Sequence, residues 1–308
     1  MNNKITTLSL YQFSKRIPDE QAARKYIEDM RWSKGRYCPH CKSTNTVAVK
    51  NEKPQPYRCK DCRKHFSVRT GTVLMCSNVP LQKWLLAAYL MNTAKKGVSS
   101  CQMARELGTT QKTAWMLCHK IREIWTAPIA QFTGAIEADE TYLGGLEKNK
   151  HADKKLNAGR GIIGKQVVLG VRERSSKVKA ITAEGTNQME MHKFISDNVK
   201  PGAILYTDEH RSYIGLRGYN HQSINHSAGE YVRGQVHTNG IESFWALLKR
   251  GYIGTFHHFS MKHAARYVNE FAARNNNREC DTIDILAITA KNSTGKLLPY
   301  KELIYVLS

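Results

Sequence analysis

The chain's 308 residues, 41% of them hydrophobic, suffice to bury a sizeable core and suggest two or three domains. Lys and Arg number 47 against 26 Asp and Glu, a formal net charge of +21 that points to a polyanionic partner. No run of about 18 uncharged apolar residues occurs, which excludes a membrane-spanning helix, and the opening "MNNKITTLSLYQFSKRIPDE" lacks the apolar block of a secretory signal. A cytoplasmic protein with no membrane partner is expected.

Eight cysteines occur, four of them in two C-x2-C pairs: Cys38 and Cys41 in "YCPHCKS", Cys59 and Cys62 in "YRCKDCRKHF". Two such knuckles at this separation form a zinc ribbon, in which four thiolates close a tetrahedron around one Zn2+ ion. A complete thiolate shell leaves no open position for water, so the ion is expected to be structural. The stretch "STNTVAVKNEKPQPY" between them reads as strand, Pro-rich turn and return strand. Two disulfides are the alternative, disfavoured without an export signal. Arg58, Lys60, Arg63, Lys64 and His65 make the second knuckle basic, suited to gripping DNA, although a ribbon that contacts only protein stays open. Cys101 and Cys118 read as core or half-buried helical positions.

After "SNVPLQKWLLAAYLMNTAKKG", a helix starting past Pro80 and stopped by Gly97, comes "VSSCQMARELGTTQKTAWMLCHKIREIW". Ser99 or Ser100 caps one helix, Gly108 makes the turn, and Thr109 or Thr110 caps the next. The pattern is that of a helix-turn-helix, whose second helix enters the major groove with Gln111, Lys112 and Thr113 at its groove-facing start. A hairpin used for packing or dimerisation is the alternative.

From residue 132 the pattern changes. "FTGAIEADETYLGG" is a strand expected to deliver Asp139 at its end; "GKQVVLGVRER" and "KVKAITAEG" are two more strands, "NQMEMHKFISDNV" a helix, and "GAILYTDEH" a buried strand delivering Asp208. "YNHQSINHS" is a fifth strand, followed by the helix "HTNGIESFWALLKRG" with Glu242 near its start. This order matches an α/β, ribonuclease H-like fold: a mixed sheet with flanking helices, whose first and fourth strands lie side by side. Asp139 and Asp208 then meet, and Glu242 joins them from a helix. Three carboxylates suit two Mg2+ (or Mn2+) ions that activate the attacking oxygen and stabilise the leaving one in phosphodiester chemistry. Singly, each acid reads as a cap or turn residue. Glu140 and Glu209 are less suited, because adjacent strand residues face opposite ways.

The segments "RWSKGRYCPHC", "YRCKDCRKHFSVRTGT", "IEADETYLGG", "YTDEH", "HTNGIESFWALLKRGYIGTFHH" and "YVNEFAARNN" together resemble the DDE transposases of bacterial insertion sequences, the ISXO type with an N-terminal zinc ribbon. The resemblance covers nearly the whole chain. It implies that Asp139, Asp208 and Glu242 are the metal-binding triad, and that the enzyme cleaves DNA and joins 3'-hydroxyls to target DNA. Lys249 looks like the basic residue many such enzymes place near DNA phosphate, or a solvated charge. The tyrosine and arginine that some related families place before the glutamate are absent, Gln235 and Thr238 standing there. His237 and Asn239 are placed to contact the scissile strand or to form the helix cap, a role that suits Asn239. The loop "EKNKHADKKLNAGRGIIGK" offers Lys148, Lys150, Lys154, Lys155, Arg160 and Lys165 to phosphates, or is simply solvated.

The expected organisation is an N-terminal helix and zinc ribbon over 1–75, a helix-turn-helix region over 76–130, a ribonuclease H-like DDE catalytic domain over 131–280, and a C-terminal helix and tail over 281–308. The expected partner is double-stranded DNA, both terminal inverted repeats and target, bound by at least a dimer. A transcription regulator that uses the basic surface alone, and a nuclease that cuts without joining, are the rival functions.

Overall fold

The computed structural model describes residues 8–126, 129–145, 151, 153, 155, 164–174, 177–224 and 232–304. The chain divides into two compact units, one of residues up to Trp125 together with those from Glu279 onward, the other spanning Thr126–Arg278. Among the described residues no helix is long and apolar enough to cross a membrane.

The first unit opens with two helices, α1 (Leu10–Arg16) and α2 (Glu20–Arg31), capped by Ser9 and Asp19 through their side chains. A small antiparallel sheet follows, β1 (Thr46–Ala48), β2 (Tyr57–Cys59) and β3 (His65–Phe66). The strand–turn–strand reading between the knuckles holds, with β3 as an addition that its two-residue length hid from the sequence. Trp32, Tyr57 and Phe66 pack edge-on or tilted with ring centroids 5.5 to 6.1 Å apart, the apolar support of this sheet.

Three further helices are α3 (Leu81–Thr93), α4 (Ser100–Leu107) and α5 (Gln111–Ile124). Ser99 caps α4 and Thr110 caps α5, each accepting a backbone N–H, and Gly108 between them takes the left-handed conformation that ends α4. Met103, Ala104 and Leu107 of α4 and Ala114, Leu117, Cys118, Ile121 and Ile124 of α5 are buried, as their spacing predicts. Cys101 is exposed, against the expectation of a core or half-buried position: Met103 and Ala104 supply the buried face of this short helix and turn Cys101 outward. From the far end of the chain α9 (Thr282–Asn292) packs against α2, α3 and α5, with Trp125 donating its indole N–H to Thr289 at 3.0 Å.

The second unit is a five-stranded mixed sheet in the order β6-β5-β4-β7-β8. Its strands are β4 (Ala135–Leu143), β5 (Gln166–Glu173), β6 (Val178–Ala183), β7 (Ile204–Thr207) and β8 (Asn220–Ser223), with β4 antiparallel to β5 and parallel to β7. The first and fourth strands are therefore neighbours. Alternation along β4 splits its side chains between faces. Ile136 and Ala138, with Val167, Leu169 and Val171, pack on α6 (Gln188–Asn198). Leu143 and Val168 pack under α7 (Asn239–Gly251) and α8 (Met261–Asn276).

Two sequence expectations are corrected here. Asp139 lies in the middle of β4, not at its end, because the hairpin pairing with β5 runs on to Leu143 while β7 stops pairing at Glu137. Asn239 is the first helical residue of α7 and Thr238 is its cap residue.

Candidate functional site

In the N-terminal unit the four knuckle cysteines converge. Their Sγ atoms all lie within 4.8 Å of one another, with Cys38–Cys62 and Cys41–Cys59 at 3.6 Å. A tetrahedron of thiolates about 2.3 Å from one Zn2+ ion has edges of roughly 3.8 Å, so this donor set fits zinc. The knuckles are built alike. Lys42 and Arg63, each directly after the second cysteine of its pair, take positive φ of 66° and 59° and turn the chain back. Asp61 ties one knuckle to the other, accepting from Ser43 at 2.5 Å and from Asn45 at 2.8 Å.

The acids gather in the second unit. The β4–β7 register pairs Glu137 with Tyr206; carried on by two residues, it sets Asp208, just past β7, level with Asp139. Burial, and then the charges of Glu140 and Asp208, push the Asp139 carboxyl up to about 8. Its Oδ2 accepts the indole N–H of Trp245 from α7 at 3.0 Å. That ring reaches the strand because Gly170, the β5 partner of Asp139, has no side chain: a Cβ there would lie 2.6 Å from two of its atoms. The Asp208 carboxylate accepts the backbone N–H of His210 at 3.0 Å, which fixes the turn after β7.

Glu140 faces the α6 side, as alternation requires, yet it is not remote from the acids. Burial and the charge of Asp208 raise its pKa, the buried Tyr213 hydroxyl donates to it at 3.0 Å, and His210 Nε2 lies 3.9 Å away. Glu209 is exposed.

Glu242 sits in the first turn of α7, exposed, with its Oε1 accepting from the Thr238 hydroxyl at 2.8 Å. Among the described residues the cysteine quartet is the one group of three or more candidate ligands whose donor atoms all fall within 4.8 Å, so Asp139, Asp208 and Glu242 are more widely spread than a single-ion cage. Burial first, and then the charge of Asp208, raises both Asp139 and Glu140, as expected of carboxylates crowded without a cation, and hard oxygen donors of this type suit Mg2+ or Mn2+.

The remaining predicted contacts fall on both units. Gln111 Nε2 donates to Ser100 at 2.8 Å, Lys112 Nζ lies 4.9 Å over the Tyr300 ring, and Thr113 bonds Thr110 at 2.9 Å. Lys249 is exposed in the last turn of α7, and His237 Nδ1 lies 3.5 Å from Glu137. Lys155 is exposed and Lys165 borders β5, whereas Lys148, Lys150, Lys154 and Arg160 lie outside the described residues. Sequence reasoning passed over Trp245, Gly170 and Glu137. The last carries a signal that could have found it, since it shares a strand face with Asp139 two positions on.

Comparison with known proteins gives matches to two families: the ISXO2-like transposase domain over residues 131–276 and the transposase zinc-ribbon domain over residues 18–65. An uncharacterized protein in transposable element ISH50 of Halobacterium salinarum is 28% identical over 249 residues, 77% of this chain and 84% of that protein. An uncharacterized transposase-like protein of Haemophilus influenzae is 32% identical over 120 residues, 38% of this chain and 96% of the relative. A solved simian T-cell lymphotropic virus intasome, in complex with a PP2A regulatory subunit, aligns over 61% of this chain and 65% of that one at 13% identity. Its TM-score of 0.29 is too low to carry an argument.

Proposed function

Because the chain belongs to the ISXO2-like transposases of insertion elements, whose zinc-ribbon and transposase domains it carries in order, we propose that it binds the terminal inverted repeats of its element, cleaves DNA there and joins the liberated 3'-hydroxyl to target DNA. The observation that carries this reading is the placement of Asp139 on β4 and of Asp208 directly after the parallel neighbour β7, close enough for the charge of Asp208 to raise the pKa of Asp139.

We read the sheet as ribonuclease H-like, supported by three antiparallel strands, a helix and two parallel strands in that chain order. The α4–α5 pair is read as a helix-turn-helix, supported by the two side-chain caps and the left-handed Gly108 between them. Gln111, Lys112 and Thr113 would then meet the major groove, while Lys155, His237, Asn239 and Lys249 would serve the DNA held at the acids. Bringing two element ends together requires at least a dimer.

In this reading Asp139, Asp208 and Glu242 hold the divalent ions. Bound Mg2+ or Mn2+ supplies activation of the attacking oxygen and stabilisation of the leaving one. The chain's own part is orientation. Trp245 fixes the rotation of the Asp139 carboxylate, the His210 amide fixes Asp208, and Thr238 holds Glu242 toward the start of its helix. Lys249, exposed on the same helix, offers a charge to a DNA phosphate.

An assay with labelled element ends and a plasmid target tests the reading. A transposase yields joined product, a nuclease yields cut ends alone, and a regulator yields neither. Asp139→Asn should abolish both products while end binding persists; wild-type cutting by the purified variant would refute the assignment.

A further inference from the structure

We propose that Glu137, outside the three acids, is a positioning residue: it latches the first turn of α7 to the sheet and so sets Glu242 against Asp139. This rests on the reading of the acids as metal ligands. Glu137 is 2% exposed, and burying a carboxylate in a sheet is costly unless partners satisfy it. Its partners all come from the approach to α7 or from the strands beneath. Oε2 accepts the backbone N–H of Ile241 at 2.8 Å, and Oε1 lies 3.3 Å from Arg174 Nε and 3.5 Å from His237 Nδ1.

The Ile241 amide is one of the helix-start donors that lack an intrahelical acceptor, and α7 has no side-chain cap of its own. Glu137 therefore does from β4 what a cap residue does from the chain, and it adds negative charge at the positive end of the helix dipole. Arg174 extends the grip, donating to the carbonyls of Gln235 at 2.5 Å and His237 at 3.2 Å, with its guanidinium 4.3 Å over the Tyr206 ring. Arg172, the cross-strand partner of Glu137, donates to the Gly240 carbonyl. A Cβ on Gly240 would lie 2.5 Å from Glu137 Oε2 and 3.0 Å from Arg172 Nη1, so a side chain there would push these two groups from the positions in which they hold the turn.

The consequence for the site is direct. Glu242 is the next residue after the latched amide, and Asp139 is two positions along the strand that supplies the latch. One strand thus carries an acid and the anchor of the helix that bears another.

The test separates geometry from charge, using the full chain, Mn2+ as the probe, and electron paramagnetic resonance to count free ion. Arg174→Gln removes a positive charge, which by electrostatics alone would tighten Mn2+ binding; the latch predicts weaker binding. Gly240→Ala changes no charge and should weaken it by about 10- to 100-fold, the usual cost of losing a group that orients metal ligands. Glu137→Gln, which keeps an acceptor for the Ile241 amide, should bind more tightly than Glu137→Ala. Hydrogen exchange at 239–242 should rise in the Gly240→Ala and Glu137→Ala proteins. Wild-type or tighter Mn2+ binding by both Arg174→Gln and Gly240→Ala, or unchanged exchange at 239–242, overturns the proposal. If the wild-type chain binds no Mn2+, the metal-enzyme reading falls, and the exchange data alone decide whether the latch exists. Arg174→Gln alters a partly exposed side chain, so it keeps the test open should Glu137→Ala not fold.

Discussion

The Trp245 indole donates to the Asp139 carboxyl across a gap in the sheet that Gly170 leaves open. Strand, neighbouring strand and helix meet at that one contact. Gly170→Ala would force a Cβ to 2.6 Å from ring carbons of a buried tryptophan, and a packed ring cannot yield as a flexible side chain would. A loss of about 1–3 kcal/mol in urea unfolding is expected, as for other overpacked cores. Trp245→Phe removes the N–H and leaves part of the buried indole's volume unfilled, so it should cost about 1–3 kcal/mol while raising the Mn2+ concentration needed for cleavage.

The elevated carboxyl of Asp139 makes stability depend on pH in a defined direction. Its ordinary pKa is 3.8 and the fold pushes it up to about 8, so the folded chain holds this proton more tightly than the unfolded one. The contribution is complete below about pH 4 and is lost as pH climbs through 8. Glu140 is shifted the same way. Thermal unfolding in chelator should therefore show falling stability between pH 5.5 and 8.5. Mg2+ should restore more stability at the upper end than at the lower, and Asp139→Asn should flatten the slope.

The four cysteines predict one zinc ion per chain by elemental analysis. Strong chelation or Cys59→Ser should open the region around β1–β3 to protease, because the Trp32, Tyr57 and Phe66 cluster is too small to hold three short strands unaided. Cleavage should fall between Arg36 and Phe66, leaving the second unit intact.

Lys249→Ala should weaken DNA binding without changing the fold, since the side chain is exposed on α7. If it meets one phosphate, the slope of log K against log salt should fall by about 0.9. An unchanged slope would return Lys249 to the solvated surface.

What the sequence made legible is what local patterns encode. The cysteine pairs stand at fixed spacing, and Ser99, Gly108 and Thr110 punctuate α4 and α5 by rules that need no tertiary contact. The apolar runs of β4 and β7 placed Asp139 and Asp208 on or beside neighbouring strands but misjudged where Asp139 sits, because strand length is set by the β5 partner and a sequence does not print its register. Trp245, Gly170 and Glu137 were hidden for a related reason. Each matters through contact with residues about a hundred positions away or on the next strand, and Glu137 alone looks like any polar residue in an alternating strand.

The central claim is that Asp139, Asp208 and Glu242 share divalent ions. It is tested most directly by anomalous diffraction from crystals of the full chain soaked in Mn2+. The account predicts metal peaks bonded to Asp139 and Asp208, with Glu242 drawn onto the same cluster at about 2.0–2.3 Å, the range for hard ions on carboxylates. Peaks elsewhere, or acids still apart at saturating Mn2+, would contradict it.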